Sequence, residues 1–285
     1  MFTLGMATYS DFDGVYFTVQ SARIHHPEIT EIVIIDNNPT SKDSKSIKDL
    51  LNWQNTNCNI KYIPYSYKQG TSARDQVFKY ASNEYVIVVD SHVLFFPNSI
   101  KTLKDFYLKD HKPYDFIQGP MIYDNLKSYS THLDQIWRDN FYGTWATSNN
   151  SDKYFEIPSM GLGCFSCKKN EWLGFNLLFR GFGGEEGYIH EKYRKHGGRS
   201  ICLKDFKWLH RFGRPNGVPY KNALEDRCFN YLIGRFELGL EYKDVVNHFK
   251  EKALAKKNLE NVIKDAYKTF YKKDLNDTEL FDILN

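Results

Sequence analysis

The chain has 285 residues, which is enough for one large α/β domain and a smaller appendage. Its net charge of +3 is too small to indicate nucleic-acid binding by itself, and no run approaches the roughly 20 apolar residues of a membrane helix. The five cysteines form no dense disulfide framework and the N-terminus has no signal-peptide pattern, so we expect reduced thiols in a cytoplasmic protein.

The first elements alternate between strand and helix signals. An apolar run at Phe2–Ala7 predicts a strand, and the next helix is expected to begin at a capping box formed by Ser10 and Asp13. Pro27 ends that helix, and Ile32–Ile35 predicts a second, buried strand. This alternation is typical of a sheet whose strands are joined by crossover helices.

The alternation continues over the next ninety residues or so. Strands are predicted at Ile60–Ile63 and Phe116–Ile122, with a helix at Gly70–Ala81 between them. Tyr85–Val89 has the strongest strand signal, because it is apolar and rich in Val and Ile like a central strand that is covered on both faces. The sequence therefore predicts an α/β fold with a Rossmann-like, mostly parallel sheet and helices on both faces.

The second half of the chain is less regular. A loop rich in Gly and Pro ends near residue 219, and the pattern is helical from about Tyr220 to the end. We therefore expect an α/β domain over residues 1–215 and a C-terminal helical extension over residues 216–285. The tail from Lys243 to Lys273 is rich in Lys with apolar residues at helical spacing, which favours a solvated helix face over a nucleic-acid surface.

Polar residues follow three of the predicted strands. In doubly wound sheets, ligands bind beyond the carboxyl ends of the strands, so we expect these residues to meet at one site. The three polar clusters are Thr8-Tyr9, Asp36-Asn37 and Asp90-Ser91-His92.

Asp90 and His92 have the spacing of a metal site. Residues two apart in an extended segment face the same side, so the carboxylate and the imidazole can bind one ion. This donor pair suits Mn²⁺, whereas Mg²⁺ prefers oxygen ligands alone. Such an ion can stabilise a departing diphosphate. The alternative is an ordinary turn, because Asp and Ser often end strands.

The segment Val86–His92, V-I-V-V-D-S-H, resembles the metal motif of glycosyltransferases with the GT-A fold. The usual motif is D-x-D, and the D-x-H version is typical of the polypeptide N-acetylgalactosaminyltransferases. The resemblance implies that Asp90 and His92 bind Mn²⁺ and the UDP diphosphate. It also implies that a later histidine, His210 in W-L-H-R, completes the metal shell.

Other segments within residues 1–215 resemble family-2-type enzymes of the same fold, which implies a nucleotide-sugar-binding catalytic domain there. Ala73-Arg74-Asp75 is similar to an A-R-N sequence in those enzymes, with Asp in place of Asn. By this resemblance, the residues expected to bind the nucleotide sugar are Thr8, Tyr9, Asp36, Arg74, Asp90 and Ser91.

The segment Gly181–Glu186, G-F-G-G-E-E, resembles the W-G-G-E-N and W-G-G-E-D blocks that touch donor sugar and acceptor. The resemblance places Gly183 and Gly184 against the nucleotide sugar and gives catalytic roles to Glu185 and Glu186. Because Asn accompanies retaining enzymes and Asp inverting ones, the glutamate at position 186 leaves the stereochemistry open. Alternatively, both glutamates only complement the dipole of the helix that they begin.

The predicted function is metal-dependent transfer of a hexosyl or N-acetylhexosaminyl unit from a UDP-sugar to a hydroxyl. The acceptor is either a glycan, which can be lipid-linked, or a hydroxymethylated DNA base. In the second case the enzyme would be encoded by a virus and would modify DNA in the cytoplasm of the host. Arg211 or Arg214 could contact the diphosphate. A non-catalytic module that binds nucleotide sugars or carbohydrates on the same fold is the alternative. Four aromatic residues could grip DNA, namely Trp137, Phe141, Tyr142 and Trp145.

Overall fold

The computed structural model describes residues 1–53, 57–68, 70–213, 217–252 and 254–284. In the first half, strands and helices alternate, and two short 3₁₀ helices lie at Leu50–Trp53 and Thr71–Arg74. The other elements of this half are β1 (Phe2–Thr8), α1 (Phe12–His25), β2 (Ile29–Asp36), α2 (Lys42–Asp49), β3 (Asn59–Pro64), α3 (Asp75–Tyr80), β4 (Tyr85–Asp90), β5 (Val93–Phe95), α4 (Ser99–Lys109), β6 (Phe116–Gln118) and β7 (Met121–Ile122).

Short strands fill the middle of the second half and helices fill its end. A third 3₁₀ helix lies at Lys169–Glu171. The other elements are β8 (Tyr129–Ser130), β9 (His132–Arg138), β10 (Phe141–Ala146), β11 (Tyr154–Glu156), β12 (Cys164–Lys168), α5 (Glu185–Lys195), β13 (Ser200–Leu203), β14 (Trp208–His210), α6 (Leu224–Leu238), α7 (Lys243–Lys252), α8 (Lys256–Tyr271) and α9 (Asp277–Leu284).

The main sheet has eight strands in the order β11-β13-β6-β12-β4-β1-β2-β3. The pairs among β1, β2, β3 and β4 are parallel, as the alternating pattern predicts. Strand β12 is antiparallel to both β4 and β6, and β11 is antiparallel to β13. The α/β class with a C-terminal helical region is confirmed, while the half of the sheet beyond β4 is mixed.

Alternate residues of the central strands pack on opposite faces of the sheet. Ile87 and Val89 of β4 belong to the core on the face of α1 and α4, whereas Val86 and Val88 belong to the core that contains α5, α6 and α8. This alternation follows from the two-residue repeat of a strand and explains why β4 is apolar throughout.

Two local predictions are corrected. Asp11 begins α1, because its Oδ1 accepts a hydrogen bond of 3.2 Å from the Gly14 amide, whereas the predicted capping box used Ser10 and Asp13. The strand predicted at Phe116–Ile122 is two strands in two sheets. It breaks at Gly119-Pro120, where proline lacks an amide donor and a Cβ on Gly119 would lie 1.7 Å from the Phe206 carbonyl oxygen.

The C-terminal helices share a core with the sheet. Phe229 of α6 and Ile263 of α8 are buried in the same cluster as Val86 and Phe165. The lysines described on α8, such as Lys264 and Lys268, are exposed, in keeping with a solvated helix face. All five cysteines are free and buried. No helix in the described part of the chain is both long and apolar enough to cross a bilayer.

Asp75 connects α3 to the loop after β12. Its Oδ1 accepts hydrogen bonds from Trp172 Nε1 at 2.9 Å and from the Phe175 amide at 3.2 Å. Burial nevertheless raises the pKa of Asp75 to about 6. The folded protein therefore binds more protons than the unfolded chain between about pH 4 and pH 6, and its stability falls as the pH rises through this window.

Replacing Asp75 by Asn, the residue of the A-R-N pattern, should stabilise the protein above pH 6. The amide oxygen can accept both hydrogen bonds without the cost of a buried charge. We expect Asp75→Asn to raise the free energy of unfolding at neutral pH by roughly 1–3 kcal/mol in urea titrations. Asp49→Asn, at an exposed position of α2, is the control. Equal pH dependence of wild type and Asp75→Asn would contradict this account.

Candidate active site

A cleft of about 520 Å³ opens at the carboxyl ends of β1 and β4. The polar residues after these two strands meet there, as the sequence predicts: Thr8 and Tyr9 lie on one side and Asp90 on the other. The start of α5 and the segment before α6 close the cleft. The other lining residues used below are Asp11, Asn37, Gly70, Arg74, Ser91, His92, Phe141, Phe182, Gly183, Glu185, Glu186, Arg211, Tyr220, Asn222 and Arg227.

Asp90, His92 and His210 come together at the inner end of the cleft. One donor atom from each lies within 4.8 Å of the others, and His210 Nε2 is 3.3 Å from Asp90 Oδ2. Antiparallel pairing of β14 with β5 sets His210 opposite Val93, next to His92. An octahedral ion with bonds of about 2.1 Å separates adjacent ligands by about 3 Å and opposite ones by about 4.2 Å. The three side chains can therefore hold a divalent cation, which would draw the donor atoms slightly closer together.

Both oxygens of Asp90 contact positively charged or polar partners. Oδ1 accepts a hydrogen bond of 2.8 Å from Arg74 Nη2, and Oδ2 faces His210. Burial alone would raise the pKa of Asp90, but the charge of Arg74, with His210 and His92, outweighs it and holds that pKa well below its usual range. Asp90 is thus an ionised ligand at any physiological pH.

Arg74 also connects the metal-binding end to Glu185. Its Nη1 lies 3.7 Å from Glu185 Oε1, which accepts a hydrogen bond of 2.6 Å from Thr71 Oγ1. Thr71 is itself held by a bond of 3.0 Å from its amide to the Gly181 carbonyl. Glu185 Oε2 is buried without a hydrogen-bond partner, so one oxygen of this carboxylate is fixed and the other can accept a ligand hydroxyl.

Gly70 permits the contact between the Arg74 turn and the glycine-rich segment. Its φ is +116°, and a Cβ would lie 2.0 Å from the carbonyl oxygen of Gly181. Only glycine allows the two backbones to approach so closely. The pairing brings Arg74 and Glu185, which are far apart in sequence, to the same wall of the cleft.

Glu186 follows Glu185 at the start of α5 and also lines the cleft. Burial, reinforced by the neighbouring charge of Glu185, raises the pKa of Glu186 to about 8. Arg74 and Arg227 oppose this rise only in part. The cleft therefore contains one carboxylate that is always ionised, Asp90, and one whose protonation changes near physiological pH.

The outer wall of the cleft is aromatic and belongs partly to the C-terminal helices. The rings of Phe182 and Tyr220 have centroids 4.0 Å apart, and Phe141 lies against the guanidinium of Arg227, with 4.0 Å to the ring centroid. The Arg227 Nη2 donates to Asn222 Oδ1 at 2.8 Å. The predicted extension thus contributes side chains to the site, which the sequence did not indicate.

Asp11 is a second residue that sequence reasoning missed. Its Oδ2 lies 2.8 Å from both Ser91 Oγ and His92 Nδ1, and its Oδ1 accepts a hydrogen bond of 2.9 Å from Arg211 Nη2. The signal for it was present, since an Asp before a helix is a common cap. Ser91, predicted to bind the nucleotide sugar, lines the cleft but donates its hydroxyl to Asp11.

Asp36 occupies a different position from the one that the resemblance implies. It is fully buried and absent from the described lining of the cleft. Its Oδ2 is engaged by Tyr62 and Ser44, at 2.6 and 2.5 Å. Its neighbour Asn37 reaches the cleft instead, and its Oδ1 accepts a bond of 3.1 Å from the Gly70 amide. Asp36 supports this wall from behind.

Several buried polar atoms in or beside the cleft lack hydrogen-bond partners. Such atoms are costly in a folded protein and commonly mark the position of a polar ligand. Besides Glu185 Oε2, they are Thr8 Oγ1, Arg74 Nη1, His210 Nδ1, Arg211 Nε and Arg227 Nε. They fit a ligand that carries both anionic oxygens and hydroxyl groups.

A family model described as "Glycosyl transferase family 2" matches residues 3–169, which is more than half of the chain. The chain belongs to glycosyl transferase family 2. The resemblance to family-2-like enzymes is therefore confirmed. A comparison with curated protein sequences finds no match.

Solved structures with the same fold resemble this family 2 chain at low sequence identity. GalNAc-T7 with UDP, GalNAc and Mn²⁺ has a TM-score of 0.70 at 15% identity and covers 96% of this chain and 56% of its own, so the chain spans little more than half of it. S. aureus TarS 1–349 with UDP-GlcNAc has a TM-score of 0.60 at 15% identity, covering 94% and 81%. The mannosyltransferase PcManGT from Pyrobaculum calidifontis, with GDP-Man and Mn²⁺, has a TM-score of 0.52 at 12% identity, covering 93% and 69%. These likenesses confirm the GT-A fold.

Three of the four aromatic residues expected to hold DNA are half-buried and contact other residues of the family 2 chain. Trp137 stacks on His248 with centroids 4.2 Å apart and donates to Asp244, and the Tyr142 amide donates to Tyr231. Trp145 is partly buried against one core, which leaves Phe141 as the exposed member of the group. Of the two arginines predicted to contact the diphosphate, Arg211 lines the cleft and Arg214 lies outside the described residues.

Gly183 should be intolerant of a side chain. Its φ is +101°, and a Cβ would lie 2.4 Å from Arg227 Nε. Gly197, which has a φ of +79° with nothing within 4 Å, is a matched control for backbone strain alone. We expect Gly183→Ala to lower the thermal midpoint clearly more than Gly197→Ala, for which strain alone costs roughly 1–2 kcal/mol. Equal thermal midpoints for the two variants would show that the Arg227 side chain moves away from the added Cβ without loss of stability.

Proposed function

We propose that this chain transfers a hexosyl or N-acetylhexosaminyl unit from a UDP-sugar to an acceptor hydroxyl, with a divalent metal at Asp90, His92 and His210. The observation that carries the proposal is the meeting of this three-ligand group with Glu185 and Arg74 in one cleft of a family 2 fold. GalNAc-T7 with UDP, GalNAc and Mn²⁺ and PcManGT with GDP-Man and Mn²⁺ support a nucleotide and a divalent metal, and TarS with UDP-GlcNAc supports a UDP-sugar.

The metal centre is proposed to hold Mn²⁺, with Mg²⁺ as the other candidate. A carboxylate and two imidazoles favour a borderline ion over one that prefers oxygen alone. Bound there, the ion would neutralise the developing charge on the departing diphosphate. Arg211 would add a charge-assisted contact to the same phosphates, since Asp11 holds its guanidinium at the cleft.

The donor is proposed to lie along the wall from Thr8 to Glu185. The partnerless Thr8 Oγ1 and the ring of Tyr9 would contact the nucleoside, with Asn37 in the place that the resemblance gave to Asp36. A hydroxyl of the donor sugar would donate a hydrogen bond to Glu185 Oε2, with the backbone of Gly183 beside the sugar. Arg74, next to both Asp90 and Glu185, would fix the position of the sugar relative to the phosphate.

Glu186 is proposed to act on the acceptor as general base. The acceptor oxygen forms a bond to the anomeric carbon, the bond from that carbon to the diphosphate oxygen breaks, and UDP leaves with the electron pair. The acceptor proton passes to the Glu186 carboxylate, which lines the cleft. This reaction inverts the anomeric centre. A retaining reaction would not need the base at this position.

The acceptor is proposed to be a carbohydrate. The rings of Phe182, Tyr220 and Phe141 form an aromatic wall near Glu186, and aromatic faces suit the apolar face of a sugar ring. A hydroxymethylated DNA base could stack on the same rings, but Trp137, Tyr142 and Trp145 are engaged within the protein. The carbohydrate is therefore the better-supported acceptor.

UDP release from a panel of UDP-sugars should require the metal. We expect turnover to disappear with a chelator and to return with Mn²⁺, and His210→Ala to lower it because one ligand is lost. A glycan mixture and hydroxymethylated DNA are the two acceptor arms of the assay. Turnover that survives chelation would remove the metal assignment. UDP binding without turnover of any donor would favour a non-catalytic nucleotide-sugar-binding module.

The pH dependence of kcat/KM should follow the ionisation of Glu186, the proposed general base. Because the ionised form of Glu186 acts, kcat/KM should rise with pH and level off above about pH 8. Glu186→Gln should lower kcat by about 10²–10⁴-fold and remove that rise. Glu191→Gln, on the same helix but paired with Arg194, serves as the control and should keep wild-type activity. A small effect of Glu186→Gln would favour a retaining reaction.

A further inference from the structure

Asp11 contacts four hydrogen-bonding groups that belong to three different parts of the chain. Its Oδ1 receives the Gly14 amide at 3.2 Å and Arg211 Nη2 at 2.9 Å. Its Oδ2 receives Ser91 Oγ at 2.8 Å and lies 2.8 Å from His92 Nδ1. The carboxylate therefore lies between the start of α1, the metal-binding segment and the loop after β14, and it is not among the three grouped candidate ligands.

The contact with His92 decides which ring nitrogen can bind a metal. A carboxylate oxygen only accepts, so the short contact requires the proton on Nδ1 of the neutral ring. The nitrogen lone pair is then on Nε2, and a metal-binding imidazole oriented in this way by a carboxylate is a common arrangement. Ser91 Oγ, which lies 3.4 Å from Nδ1, donates its own proton to Asp11 and does not compete for this role.

We propose that Asp11 is a positioning residue that fixes His92 in the Nδ1–H tautomer, so that Nε2 faces the divalent cation, and that also anchors Arg211 beside the metal site. The part that concerns the cation rests on the proposed function. The tautomer itself is a property of the free protein and does not.

Replacing Asp11 by Asn separates this role from that of a helix cap. Asparagine caps helices as well as aspartate, so α1 should be retained. The asparagine side chain has one acceptor oxygen, whereas Asp11 has two, each of which contacts two groups. The Gly14 amide and Arg211 can only donate, whereas Ser91 can rotate its hydroxyl and His92 can change tautomer. The side-chain NH₂ should therefore face His92 and force the proton onto Nε2, where it blocks metal binding.

The tautomer can be read directly in the full chain. Long-range ¹H–¹⁵N spectra of histidine-labelled protein distinguish the two forms, and the His92→Gln spectrum assigns the signal. We expect Nδ1–H in wild type and Nε2–H in Asp11→Asn. In calorimetric titrations with Mn²⁺ alone, the Kd of Asp11→Asn should be about 10–100-fold higher than that of wild type.

Arg211→Gln is the matched control, because it removes the ion pair and leaves the carboxylate beside His92. It should keep the Nδ1–H form and the wild-type Kd for Mn²⁺. Unchanged spectra and an unchanged Kd in Asp11→Asn would overturn the proposal. If wild type binds no Mn²⁺, the metal assignment of the proposed function fails, while the tautomer comparison still decides whether Asp11 controls His92.

Discussion

The ion pair between Arg74 and Asp90 is the interaction on which the cleft depends. A buried guanidinium is stable only when carboxylates compensate its charge, and Arg74 has two of them, Asp90 at 2.8 Å and Glu185 at 3.7 Å. These residues come from the 3₁₀ helix before α3, from the end of β4 and from the start of α5. The Arg74 guanidinium thus fixes the distance between Asp90, at the candidate metal site, and Glu185, the proposed contact of the donor sugar. Because Arg74 has a planar fork of donors, a lysine could not hold both carboxylates in the same geometry.

The sequence predicted the parts of this arrangement that have a local cause. Strands β1, β2 and β4 are apolar because both of their faces are buried, and polar residues follow them where the sheet opens to solvent. The extended backbone expected from Asp90 to His92 is wrong in detail, because Ser91 and His92 form the turn between β4 and β5. His210 and Glu185 were predicted through resemblance, since neither has a local pattern that distinguishes it from an ordinary buried histidine or a glutamate at a helix start.

The remaining features depend on contacts between distant segments, which no local pattern encodes. The antiparallel insertion of β12 between β4 and β6 was missed because a short buried strand has the same pattern in either direction. Asp11 was missed because the sequence places the helix cap at Ser10, and because its contacts with Ser91 and Arg211 join segments that are far apart in the chain. Asp36 looks like a ligand-binding residue in sequence, yet Tyr62 and Ser44 occupy its carboxylate. Arg227 could not be foreseen, because it reaches the cleft from the C-terminal helices.

The carboxyl groups of Asp90 and Glu186 have different environments, so they differ in their chemistry. Asp90 lies against Arg74, which lowers its pKa, whereas Glu186 is buried beside another carboxylate, which raises its pKa to about 8. Two carboxyl groups whose pKa values are pushed apart in this way can perform different tasks at one pH. Asp90 remains an anion that can bind a cation, and Glu186 can take up a proton. In the proposed reaction, leaving-group stabilisation would take place at Asp90 and proton transfer at Glu186, with the donor sugar held by Glu185.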